Sequence, residues 1–277
     1  MHIADAQVHI WAANSPDRPW PEGGESLAQM PEPFGAEALL DEMDAAGVAR
    51  AVLVPPSWEG DYNDVVLAAA QAHPERFAAM GRIDVARATP EEFGMWMAKP
   101  GLRGFRVTFH RPPYRDHLLD GTADWFYDEA AARATPVMVL APGLNAELGE
   151  IARRRPDLRL IIDHLNLGRD SDDADVAAAV EALMPLAQLG NIAVKISALP
   201  TFTASPYPFA ALHPHIERVV GAFGAPRTMW GSDLTRLSCS YLEWVRAVTE
   251  EMDFLTSSDK EWLMGRSLAE WLDWPLA

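Results

Sequence analysis

Ala51-Val52-Leu53-Val54 is a run with no polar member, and Leu160-Ile161-Ile162 is a second such run far downstream. A strand that faces water on one side alternates polar and apolar residues. Unbroken apolar runs belong to strands covered on both faces, the signature of a parallel sheet. Working outward, these two extend to strands over 50–54 and 158–164. Similar β-type runs cover 3–10, 77–83, 102–109, 136–141, 192–199 and 228–233. Between them lie segments with helical spacing. One spans 36–46, with Leu39, Leu40 and Met43 on one side; another begins near Ala174, where Val176, Val180, Leu183 and Met184 recur at three and four residues. Pro185 should kink or end that second helix, because it lacks a backbone donor.

Eight strands with intervening helices give about 35 residues per unit, the spacing of a (β/α)8 TIM barrel. The competing layout, an open doubly wound sheet, usually carries a glycine-rich phosphate turn after its first strand. Here that strand runs into Trp11-Ala12-Ala13-Asn14-Ser15-Pro16, which has no glycine. The sequence therefore predicts one α/β barrel domain over 1–277. Long connections over 11–33, 110–122 and 200–208 should lie at its C-terminal mouth, where barrels bind substrates.

Composition narrows the function. The chain has 277 residues, 40 acidic and 23 basic, a formal charge of −17. Such a balance speaks against tracking a nucleic-acid backbone. The single cysteine, Cys239, excludes an intrachain disulfide and a cysteine-rich zinc site. Its start, Met1-His2-Ile3-Ala4-Asp5, lacks the basic and apolar regions of a signal peptide, and no long apolar window suggests a membrane span. The expectation is a cytoplasmic protein acting on a small molecule, with no membrane or nucleic-acid partner and with homo-oligomers open.

Informative polar residues collect on the strands. The first carries Asp5, Gln7 and His9, whose alternation places them on one side. Arg106 lies in the fourth with His110 just beyond it, Asp163-His164 end the sixth, Lys195 lies in the seventh, and Gly231-Ser232-Asp233 end the eighth. Burying a charged residue is costly unless it has a partner or a task. Five strands with such residues suggest a common site.

With these residues the sequence resembles the amidohydrolase superfamily, in its amidohydrolase-2 branch of lactonases, related hydrolases and decarboxylases. The matching segments are Asp5-Ala6-Gln7-Val8-His9-Ile10-Trp11, Gly104-Phe105-Arg106, Ile162-Asp163-His164, Val194-Lys195-Ile196-Ser197 and Trp230-Gly231-Ser232-Asp233. They fall in family order along nearly the whole chain. The resemblance implies a barrel with a polar centre at its mouth. Two metal-ligand positions depart from the pattern: the family's His-x-His reads Gln7-Val8-His9, and the fifth strand, Pro136-Val137-Met138-Val139-Leu140-Ala141-Pro142, offers no histidine. A carboxamide oxygen is a poorer zinc or manganese ligand than an imidazole. The favoured expectation is therefore no tightly bound cofactor. The alternative is one divalent metal, zinc or manganese, on His9, His164 and Asp233.

The branch includes lactone hydrolases that work without metal. By that resemblance Asp233 is the general base that activates water, and His164 and His9 polarise the carbonyl or stabilise the oxyanion. Arg106 would clamp a substrate carboxylate, with Lys195 a second contact to the anion and Gln7 a hydrogen-bonding partner. Arg236 and Tyr241, after the eighth strand, are further substrate contacts. A metal-dependent hydrolase, a decarboxylase and a non-catalytic binder of a small anionic ligand are the alternatives.

Each candidate has a plainer role to set beside this. Asp233 could cap the next segment, Lys195 could extend its ammonium outward, and Trp11, Trp20 and Trp58, which could wall a pocket, belong to a residue type that more often fills core. His110, Arg111, Tyr114 and His117 read as a solvated loop, and Cys239 as a small buried thiol. His213 and His215 read as surface residues of a helix. No Gly-x-Ser-x-Gly elbow supports a serine nucleophile.

Overall fold

The eight apolar runs become eight strands: β1 (Ala4–Val8), β2 (Arg50–Leu53), β3 (Phe77–Gly81), β4 (Leu102–Thr108), β5 (Val137–Leu140), β6 (Leu160–Ile162), β7 (Ile192–Ser197) and β8 (Thr228–Gly231). They are seen in a computed structural model that describes residues 1–275. Every consecutive pair is parallel, in the order β1 to β8. The seam between β8 and β1 is closed by Asp233 N–H donating to the Gln7 carbonyl at 2.8 Å. The outcome is a single, nearly closed (β/α)8 barrel, as the continuous apolar runs require.

The helices of the outer layer are α1 (Ala36–Ala46), α2 (Asp64–Ala72), α3 (Pro90–Met97), α4 (Tyr114–Leu119), α5 (Asp124–Ala132), α6 (Asn145–Arg154), α7 (Asp173–Leu183), α8 (His213–Phe223), α9 (Tyr241–Arg246), α10 (Ser257–Glu261) and α11 (Ser267–Trp271). The predicted helix over 36–46 coincides with α1, which buries Leu39 and Met43 and ends on Gly47 at φ 72°. That left-handed residue suits glycine, because it has no Cβ to clash. α7 stops at Leu183, and Pro185 sits in the 3-10 turn that follows. The stretch 110–122 departs from its loop reading. Pro112 and Pro113 lead into α4, which carries Tyr114 and His117. Prolines are tolerated there because the first turn needs no internal N–H donor.

Small and flexible side chains fill the barrel interior: Ala4, Ala6, Val52, Ala78, Met80, Met138 and Met229. Its N-terminal end is stoppered by Leu268, Leu272 and Trp274. Three arginines at strand starts fasten this segment: Arg50 donates to the Pro275 carbonyl, Arg103 to that of Asp273 and Arg159 to that of Trp271. With that end closed, the open end of the barrel is the C-terminal mouth.

Strand packing also fixes Gly104. A Cβ built there would lie 2.2 Å from the Pro136 carbonyl oxygen and 2.9 Å from Met80 Cε. Gly104→Ala is accordingly expected to lower unfolding free energy by at least about 1–3 kcal/mol, the cost of overpacking a rigid core. Denaturant titration against the wild type measures it, and an unchanged midpoint would contradict the close approach of β4 to β5.

Candidate active site at the barrel mouth

Strand alternation sends side chains to opposite sides, yet Asp5 does not follow Gln7 and His9 as expected. The register of β1 against β2 shifts between Asp5 and Val8. Ala4 and Ala6 point into the barrel, and beyond the irregularity His9 reaches the mouth, while Gln7, expected as a substrate contact, is fully buried beneath it and bonds to Lys195. Asp5 instead fastens the seam. Its carboxylate accepts Gln7 N–H and Ser232 N–H, each at 2.9 Å, and the Tyr241 hydroxyl at 2.6 Å. Burial pushes the Asp5 carboxyl up to about 6, against these hydrogen bonds. A one-residue irregularity of this kind reverses which side later residues face, and no composition signal announces it.

Tyr241 is corrected by the same observation. Only 2% exposed, it spends its hydroxyl on Asp5 and stacks on Trp230, so it does not line the mouth. Lys195 is also re-placed. Rather than extending outward, it is fully buried beneath the mouth, with Nζ 2.9 Å from Asp163 Oδ1 and 2.8 Å from Gln7 Oε1. Asp163 turns its other oxygen to Arg106 Nε at 2.9 Å. Burial would raise the Asp163 carboxyl, but Lys195, then Arg106 and His164, bring it down to about 2. Lys195 therefore supports the site from below, while Arg106 has its remaining guanidinium edge at the cavity.

Above this layer lies a cavity of about 260 Å³. His9, His164 and Asp233 form its floor, and Trp58 stands 5.8 Å from the His9 ring in an edge-on arrangement. His9 Nδ1 lies 2.6 Å from the Val54 carbonyl, and its Nε2 faces Asp233 Oδ1 at 3.3 Å. His164 Nδ1 lies 2.8 Å from Ser197 Oγ, and its Nε2 faces Asp233 Oδ2 at 3.8 Å. Asp233 caps nothing with its side chain, and its Oδ1 has no hydrogen-bond partner among the described residues. The plainer capping role therefore fails.

Local backbone conformation aims these groups. His164, Ala198 and Asp233, at the ends of β6, β7 and β8, all have φ between 52° and 60°. Left-handed conformations are uncommon for residues with a Cβ and gather at functional sites, where neighbouring structure holds them.

Electrostatics separate the carboxylate from the imidazoles. Burial raises Asp233, but His9 and His164 when protonated, then Arg236 and Arg106, outweigh it and hold the carboxyl below its ordinary range. Burial lowers His9 despite Asp233 opposite, and it takes His164 down to about 4 against Asp233 and Asp163. At neutral pH the site holds one ionised carboxylate between two neutral imidazoles.

The rim is cationic although the chain is acidic. Arg106, Arg111, Arg169 and Arg236 line the cavity against Asp170 and Asp233. Half-buried Arg236 lies over the Phe202 ring at 5.5 Å, with Nη1 3.7 Å from Asp233 Oδ2. Thus the 200–208 connection reaches the site by supporting Arg236. The 11–33 connection lends Leu27 and Gln29 to the wall, and Gln29 accepts from the Thr235 hydroxyl. Its base is held by Arg18, paired with Asp64 at 2.7 Å and with Glu59. His110 is exposed, in keeping with its solvated reading, and edges the cavity, where desolvation followed by Arg106 and Arg111 takes it down to about 4.

Trp58 serves both core and wall, whereas Trp11 is core against Phe34. The sequence placed Asp163 beside His164 among the site's polar residues and offered Trp58 as a pocket wall, but it gave no role to either, and Ser197 carried no signal of its own. Cys239 is half-buried rather than buried, and burial followed by Glu243 pushes its thiol up to about 12, so it is no nucleophile at neutral pH. His213 and His215 are half-buried, and His213 Nε2 lies 3.0 Å from the Pro208 carbonyl. A larger groove, about 540 Å³, lies among α4, α6 and α7 on the outer layer. It gathers no such catalytic group, and the mouth is the better candidate.

The family model described as amidohydrolase matches residues 4–273. The chain belongs to the amidohydrolase family. It is similar to an L-fucono-1,5-lactonase of Burkholderia ambifaria, 29% identical over 240 residues that cover 83% of this chain and 79% of the relative. Membership and this relative together make it a hydrolase-like enzyme. Among solved structures, it is similar in fold to an amidohydrolase from Burkholderia multivorans with bound zinc, at TM-score 0.82 and 22% identity over 99% of this chain and 100% of the other. A probable 2-pyrone-4,6-dicarboxylic acid hydrolase from Acinetobacter baumannii, with citric acid bound, shares the fold at TM-score 0.74 and 16% identity over 99% and 100%. Among the described residues no helix is long and apolar enough to cross a membrane.

A metal here would fall to His9 Nε2, His164 Nε2 and Asp233. The imidazole nitrogens address different oxygens of the carboxylate, at 3.3 and 3.8 Å. Among the described residues no three histidine, cysteine, aspartate or glutamate side chains are spaced to share an ion. Gln7 Oε1 is already bound by Lys195, and Arg236 sets a fixed cation beside the carboxylate. As arranged, this donor set does not fit a divalent ion.

Proposed function

We propose that the mouth opens a lactone, or a related cyclic ester, of a small carboxylate-bearing molecule without a tightly bound metal. The observation that carries this reading is Asp233 Oδ1, buried, ionised and without a hydrogen-bond partner among the described residues at the cavity floor. A carboxylate so placed suits a general base. It takes a proton from water as the water oxygen bonds to the ester carbonyl carbon. The carbonyl oxygen becomes an oxyanion facing donors of the cavity wall. Collapse of that intermediate breaks the ring C–O bond, and the proton held on Asp233 passes to the departing alkoxide. The product is an open hydroxy acid. Arg106 and the rim arginines suit the substrate carboxylate, since a guanidinium can meet it with two parallel hydrogen bonds. The Burkholderia ambifaria lactonase supports the reaction class.

The zinc in the Burkholderia multivorans structure favours a second reading, a metal-dependent hydrolase using His9, His164 and Asp233. One assay separates the readings. Sugar lactones and carboxylated aromatic-derived lactones are offered to purified protein before and after chelator dialysis, with acid release and metal content measured. Ring opening that survives dialysis is expected. A near-stoichiometric metal needed for turnover selects the second reading. Carbon dioxide released from an aromatic acid would make the enzyme a decarboxylase, and ligand binding without turnover a binder.

A further inference from the structure

We infer that the two mouth histidines carry their protons on opposite ring nitrogens, and that Ser197 is the positioning residue that sets His164. The argument is a census of donors and acceptors. His9 Nδ1 meets the Val54 carbonyl, which can only accept, so Nδ1 carries the proton. The other side of the ring agrees. Lys195 Nζ can only donate, so the Gln7 amide presents its oxygen to Lys195 at 2.8 Å. Its NH2 group is left facing His9 Nε2 at 3.5 Å, a long contact of matching polarity. Asp233 Oδ1, 3.3 Å away, could also accept from Nε2, but burial keeps the ring neutral with a single proton. The short Val54 bond holds that proton on Nδ1, and His9 Nε2 is therefore a bare acceptor.

His164 is set the other way. Ser197 is fully buried, and among the described residues its Oγ has one partner, His164 Nδ1 at 2.8 Å. A buried hydroxyl hydrogen without an acceptor is costly, so Ser197 O–H donates to Nδ1. The Ser197 carbonyl competes for that nitrogen from 3.4 Å, but bonding to it would strand the hydroxyl hydrogen. The proton of His164 consequently sits on Nε2, facing Asp233 Oδ2.

Opposite tautomers divide the floor into two halves. On one half a water can give one hydrogen to His9 Nε2 and the other to Asp233 Oδ1, leaving a lone pair for attack. On the other half His164 Nε2–H is a donor for the carbonyl oxygen. This division of labour rests on the hydrolytic reading, whereas the proton positions do not.

Nitrogen-15 NMR of histidine-labelled protein distinguishes protonated from bare ring nitrogens, with His9→Gln and His164→Gln identifying the signals. His9 is expected to be protonated on Nδ1 and His164 on Nε2. In Ser197→Ala the His164 proton should move to Nδ1, toward the Ser197 carbonyl, while His9 stays as it was. Ser197→Thr, which retains the hydroxyl, should keep the wild-type pattern. With a turned-over lactone, Ser197→Ala should lower kcat about tenfold with KM nearly unchanged, and Ser197→Thr should restore it. A wild-type His164 protonated on Nδ1 overturns the inference even if Ser197→Ala fails to fold. So does a Ser197→Ala protein whose His164 proton remains on Nε2. If no lactone is turned over while the NMR pattern is as expected, the hydrolytic reading fails and the proton assignment stands.

Discussion

Asp233→Asn should reduce kcat/KM for the best lactone by about 10²–10⁴-fold, the usual contribution of a positioned general base. The substitution is nearly isosteric and removes the proton-accepting charge. It also puts an amide beside His9 Nε2, a bare acceptor, so local packing should survive. Charged neighbours hold the Asp233 carboxyl below its ordinary range, so its ionised form adds to stability at neutral pH. The Asn variant is therefore expected to stay folded and to melt somewhat below the wild type while losing activity. Equal turnover by the two proteins removes Asp233 from the reaction. Loss of activity through failure to fold would instead mark Asp233 as structural.

Asp163→Ala carries the largest expected cost to stability. Lys195 and Arg106 are both buried, and Asp163 is the carboxylate that pairs with each at 2.9 Å. Truncating it leaves two cations without their counterion, a change worth about 3–5 kcal/mol. Arg106 also loses the contact that turns its free edge to the cavity, so KM for a carboxylate-bearing substrate should rise. The pH dependence has a definite sign. Asp163 is held at about 2 in the fold, below an ordinary unfolded carboxyl near about 4. Its contribution is complete above the unfolded value and disappears as pH falls through the folded one. Denaturant titration should find the wild-type advantage constant from neutral pH down to about 4, then shrinking toward about 2. Replacing Lys195 by Met in the Asp163→Asn background should return part of the stability, since one stranded cation is gone. An Asp163→Ala protein as stable as the wild type would contradict the buried pairing.

Strand positions were legible because a parallel sheet covered on both faces imposes a simple rule on composition. The unbroken Ala51–Val54 and Leu160–Ile162 runs could be read directly, and helix α1 could be read from Leu39 and Met43. Convergence of His9, Arg106, His164 and Asp233 on one cavity followed once their strands were placed side by side. Less legible were features that depend on one residue more or less. The irregularity in β1 separates Asp5 from Gln7 and His9, against simple alternation. Lys195 looked able to reach water, but the interior supplied Asp163 and Gln7 as partners and drew it inward. Tyr241 follows β8 like a substrate contact, yet Asp5 takes its hydroxyl across the seam. Ser197 was silent, because only a neighbour in space makes a buried serine different from any other.

The seam described above bears on how the chain becomes a barrel. Asp5 finds Ser232 at a separation of 227 residues and Tyr241 at 236. Loop closure over such lengths comes late in folding. During synthesis the first strand must wait, with one edge unpaired, until its final neighbour leaves the ribosome, and an unpaired edge is a template for wrong association. Chaperone dependence in the cell would then be governed by the time between these two ends, more than by the stability of the finished molecule.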